Sequence, residues 1–132
     1  MGTFGIKPIS LGVLVASSLL LAIITPSLSQ EKPPPYDAEL LRLSEILGSM
    51  HFLSLICRPD DGQIWHEKMQ EVLATEGDTP LQKAKLVERF NFGFSGFQST
   101  YRKCTASASI ALDRYAREGQ QIVETLTTEF GR

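Results

Sequence analysis

The residues of this chain with the most chemical reach are two histidines, two cysteines and a serine set among glycines. Gly93-Phe94-Ser95-Gly96 approximates the nucleophile elbow of serine hydrolases, which is G-x-S-x-G between a strand and a helix. Here the second glycine stands one place early and no strand pattern precedes it, so a nucleophilic serine is not expected. His66-Glu67 begins like the helix of a zinc protease, which needs a second histidine four residues on to put two ligands on one face. Gln70 stands there, and the only other histidine is His51. Two histidines and two oxidised cysteines make a poor zinc set, so no metal or cofactor is expected. Asp60 and Asp61 read as a helix start. Glu67 and Glu71 lie one helical turn apart and read as a solvated face. Arg102 and Lys103 beside Tyr101 read as polar surface opposite an aromatic seam. There is no glycine-rich phosphate loop. Nothing in this set assembles a catalytic centre, and a non-enzymatic protein is the expectation.

Cys57 and Cys104 are the only cysteines. Their reading depends on the compartment, which the amino terminus addresses. Lys7 gives a weakly positive start, and an apolar run follows from Ile9 to Ile24. Pro26 ends it, and Ser27 and Ser29 have the small-residue spacing of a signal-peptidase site. Cleavage is expected after Ser29, making residues 1–29 a signal peptide and sending the chain to the periplasm. The rival reading is an uncleaved anchor, but the run is shorter than the ~20 residues a spanning helix needs. In an oxidising compartment an even pair of cysteines reads as a disulfide, against the alternative of two buried thiols. The mature chain would carry 12 basic and 15 acidic residues, mixed in sign along its length. No charge block suggests nucleic acid, and the membrane enters only through an uncleaved signal peptide.

Residues 30–36 form a proline-rich linker. Pro33-Pro34-Pro35 favours an extended spacer, and the PPPY it makes with Tyr36 is not read as a WW-domain ligand in an exported chain. Residues 37–130 form the domain. A first helix is expected from Asp37, as N-cap, to about Ile56. Leu43, Ile46, Leu47, Met50, Leu53 and Cys57 share one face, while Leu41, Phe52 and Leu55 project opposite. Such a helix is either sandwiched between others or keeps one face for a partner. A second helix is expected from about Gln63 to Ala74, stopped by Gly77 in a left-handed position. Thr79-Pro80-Leu81-Gln82 predicts a third start with a capping box. From there Val87, Phe90, Phe94, Phe97, Tyr101 and Cys104 run on through Ala108, Leu112, Tyr115, Gly119, Ile122 and Leu126. That stripe reads as the buried face of one long helix or two consecutive ones. Gly93, Gly96 and the small residues of 105–109 point to a tight crossing near the cysteines. The expected fold is all-α, a compact bundle of three or four helices stapled by one disulfide.

The stretches ELLRLSEILGSMHFLSLIC with Arg58, ERFNFGFSGF, YRKCT and REGQQIV together resemble an uncharacterised family of small exported alphaproteobacterial proteins with two cysteines. The resemblance spans about 36–130. It implies an export signal and no established activity or cofactor, and it carries no functional residue across. The functional expectation is therefore a periplasmic protein-interaction module, an adaptor or regulator in the cell envelope, whose partner is another envelope protein. Phe52, Leu55 and Phe92 are its candidate surface, because they lie off the main stripes. The alternative is a carrier with an apolar pocket between helices lined by Phe90, Phe94, Phe97 and Tyr101.

Overall fold

An apolar helix with no polar face has nowhere to go but inside, and that decides this architecture. The computed structural model describes residues 32–131 together with Met1, Gly2 and Gly5. Nearly all of the leader, the Ser29 cleavage site and the first two residues of the linker lie outside the described residues. Four helices follow: α1 Asp37–Cys57, α2 Gly62–Glu76, α3 Pro80–Thr100 and α4 Ala106–Glu129. The domain is all-α, a four-helix bundle with one disulfide between Cys57 and Cys104.

Helix α1 is the hub. By length and composition it is apolar enough to cross a membrane, but most of it is buried among the other three helices. Leu40, the whole stretch 43–50 and 52–54 are buried. Of the two options for its two apolar sides, the sandwich holds. All three other helices pack on α1; α2 and α3 touch slightly, and α4 makes no backbone-level contact with either.

The crossing of α1 and α3 is close because a glycine on each helix faces the backbone of the other. A Cβ on Gly48 would lie 1.9 Å from the carbonyl oxygen of Phe90, and one on Gly93 would lie 2.0 Å from that of Glu45. Gly96, expected to share in the crossing, has nothing within 4 Å of its Cβ position. On the other side, Ala108 is fully buried against α1 next to the disulfide.

Several local expectations meet a different physical reality. Asp37 is not the N-cap of α1; Tyr36 is, without a side-chain cap. Asp37 instead accepts a hydrogen bond from Gln82 Nε2 at 2.7 Å. Thr79 caps α3 through the Gln82 backbone N–H at 3.1 Å, but Gln82 gives its side chain to Asp37, so the box is not closed. Gly77 has φ −89°, not a left-handed value. It is needed for room, since a Cβ would meet the Leu73 carbonyl at 2.5 Å. Of the two readings of the long stripe, two consecutive helices is the one that holds, broken at 101–105, and Thr105 caps the second through the Ala108 N–H at 3.1 Å. Val87 is exposed and its place in the core is taken by Leu86, which is fully buried.

Charge also ties the helices together. Arg89 on α3 pairs with Glu45 on α1, Glu45 pairs with Arg42, and Arg42 forks onto Glu118 of α4 at 2.7 and 3.0 Å. The hydrogen bonds from Arg42 hold the Glu118 carboxyl below its ordinary range. A depressed carboxyl stabilises the fold above its ordinary pKa and loses that contribution as pH falls through the lowered value. Both side chains are more than a third exposed, so Glu118→Gln should cost less than about 1 kcal/mol at neutral pH. Thermal melts between neutral pH and about pH 3 should show a shallower acid slope for the variant than for the parent. Parallel slopes would remove Glu118 from the acid response.

Candidate functional site

Because α2 and α4 both lie on α1 and not on each other, a cleft stays open between their walls above the buried face of α1. The result is a half-open apolar groove of about 670 Å³. Leu43, Ile46, Leu47 and Met50 make its floor. Trp65 and Val72 form the α2 wall; Ala116, Gly119 and Val123 form the α4 wall.

Each wall has a reason for its position. Trp65 donates its indole N–H to Ser54 Oγ at 2.8 Å, and His51 Nδ1 bonds the Gly62 carbonyl at 2.7 Å, so two bonds seat the start of α2 on α1. Gly62 allows the tight return, since a Cβ there would press Leu55 at 2.7 Å. On the far wall Gly119 brings the α4 backbone down on α1; its Cβ would sit 3.2 Å from Ile46. The rim is polar. Lys68 pairs with Glu71 on α2, and Gln120 donates to Glu124 on α4 at 3.1 Å. Both pairs lie within one helix, so neither spans the opening.

The residues singled out from sequence lie elsewhere. Phe90 is buried in the core, and Phe94, Phe97 and Tyr101 are half-buried. Phe94 meets Phe52 edge-on at 5.4 Å, and Phe97 stacks on Tyr101 and meets Tyr115 edge-on. The seam is packing between helices, and none of its four aromatics lines the groove. Phe52 is only 8% exposed, so it is core and not surface. Leu55 is marginally exposed at the α1–α2 turn, and Phe92 is exposed with the Arg89 guanidinium 4.8 Å above its ring. The groove-floor residues on α1 are legible as an apolar face, but nothing in their spacing marks a cleft above them.

The catalytic look-alikes do not assemble. Ser95 is exposed in the C-terminal part of α3, and Asp60 and Asp61 sit in an exposed 3-10 turn. Glu71 is occupied by Lys68. Among the described residues no cluster of three or more histidine, cysteine or acidic side chains is placed to hold a metal. What the arrangement offers chemically is apolar contact within a polar frame.

A family model described as a protein of unknown function (DUF2385) matches residues 35–130, which takes in all four helices. No curated protein and no solved structure matches the chain.

Proposed function

The chain belongs to the DUF2385 family, and we propose that it is an exported, non-enzymatic interaction module of the cell envelope. Its α2–α4 groove takes the apolar face of a helix from a partner protein. The observation that supports this is the half-open groove with an apolar floor and a polar rim. A helix laid into a groove presents anchors at i, i+3, i+4 and i+7, and its own polar face stays in water. A half-open groove suits that occupant. The disulfide and the apolar run of 9–24 support the exported reading.

The test is crosslinking in intact cells with the parent and with Ala116→Trp. Ala116 is exposed on the α4 wall, so an indole there fills the groove without entering the core. One dominant protein captured by the parent and lost with Ala116→Trp, at an unchanged melting temperature, is the expected result. Capture that ignores the indole would end the groove reading.

A carrier of a small apolar ligand is the second reading, and one observation favours it. The groove volume falls in the range of roughly 300–1,000 Å³ common to small-molecule pockets. Against it, such pockets bury roughly 70–90% of their ligand, and this groove is open. Native mass spectrometry of protein purified without detergent separates the two. A retained apolar small molecule, absent from Ala116→Trp, would replace the partner helix with a ligand.

A further inference from the structure

The histidines, far apart in sequence and poor as a zinc motif, are brought together on the other side of α2. His51 of α1 and His66 of α2 have ring centroids 5.7 Å apart. His51 is half-buried and His66 exposed. Phe90 lies against both rings, at 5.8 and 6.2 Å, and Phe94 lies 5.4 Å from His51. The pair therefore has a hydrophobic wall on one side and water on the other.

The tautomer of His51 is fixed by its partner. Nδ1 lies 2.7 Å from the Gly62 carbonyl oxygen, which only accepts, so Nδ1 carries the proton. In the neutral ring the lone pair then lies on Nε2. Metal-binding histidines are oriented in this manner, with the second ring N–H given to a carbonyl or carboxylate. Neither nitrogen of His66 hydrogen-bonds to another described residue, so this ring is free to offer either one. With a metal about 2.0–2.1 Å from each nitrogen, two imidazoles on one ion have centroids no more than about 6.3 Å apart. The observed separation lies inside that limit.

We propose that His51 and His66 form a two-histidine site for a divalent transition metal, with water in the remaining positions. Cu²⁺ is the strongest occupant, because imidazole suits it and it heads the affinity order of the divalent first-row metals. The site is independent of the α2–α4 groove and does not rest on the interaction reading.

The experiment titrates CuCl₂ into the full chain purified without a histidine tag, followed by calorimetry and by electron paramagnetic resonance. Two variants keep the result interpretable. His51→Asn retains an amide N–H for the Gly62 carbonyl while removing the Nε2 ligand. His66→Gln alters an exposed position. The expected result is one Cu²⁺ per chain with two imidazole nitrogens in the spectrum. Each substitution should weaken binding roughly tenfold or more at unchanged helicity. Absence of a one-to-one site overturns the proposal. So does copper binding that neither substitution weakens, which would place the ion at other groups.

Discussion

Gly48→Ala and Gly93→Ala should each lower the melting temperature by roughly 10–20 °C, although each swaps a poor helix former for the best one. Helix propensity alone would stabilise by about 1 kcal/mol. The opposing effect is steric and falls on backbone. A methyl added at position 48 would lie 1.9 Å from the Phe90 oxygen and 2.7 Å from its carbonyl carbon. At position 93 it would meet the Glu45 oxygen at 2.0 Å and Ser49 Oγ at 2.8 Å. A side chain could rotate away; a carbonyl in mid-helix cannot. The helices must separate, and this is the most extensive contact in the bundle. Overpacking commonly costs about 1–3 kcal/mol, and a net loss at the upper end of that range is expected here. Gly96→Ala is the internal control, because its Cβ position is open. It should stabilise by up to about 1 kcal/mol. Circular-dichroism melts of the three variants check the set. A Gly48→Ala protein as stable as the parent would mean that α1 and α3 do not cross this closely.

The second large effect belongs to the disulfide. Replacing Cys57 and Cys104 by serine should reduce stability by about 2–4 kcal/mol. The chain-entropy argument gives about 4 kcal/mol for a closed loop of this size, the separation being 47 residues. The location matters as much as the loop length. Cys57 ends α1, and Cys104 lies in the short link between α3 and α4. Since α4 is held by α1 and touches no other helix backbone, the bridge fixes the end of α4 that the Arg42–Glu118 pair does not reach. Urea unfolding with and without reductant measures the effect, and coincident midpoints would show that the bridge constrains nothing.

Much of this fold can be read from the residue pattern, and the failures share a cause. The two-sided apolarity of α1 announces a central helix, and the Thr79-Pro80 start is legible because a cap is a local bond. The fate of the Gln82 side chain is not, because Asp37 is 45 residues away. The weight of the aromatics draws the α3 stripe to Val87, one position off Leu86, since a helix face read at spacings of three or four tolerates that slip. The break at 101–105 is hidden because the stripe resumes in phase beyond it, although Thr105 is itself a good cap. The groove is least legible of all. Its floor residues are ordinary buried positions; what makes a groove is that α2 and α4 fail to meet, and no residue encodes a gap by itself. The pairing of His51 with His66 is likewise a product of the turn at Gly62, not of spacing.

The hub arrangement also sets a problem of timing. Synthesis delivers α1 before α2, α3 and α4, so the helix that every other one needs is made first and must wait longest. During that interval it is a long apolar segment with no covered side, the kind of surface on which nascent chains clump. The later helices pair little among themselves, so they cannot relieve this without α1. The chain thus cannot mature in independent halves, and a truncation soon after α1 leaves the most buried helix of the domain made and unshielded.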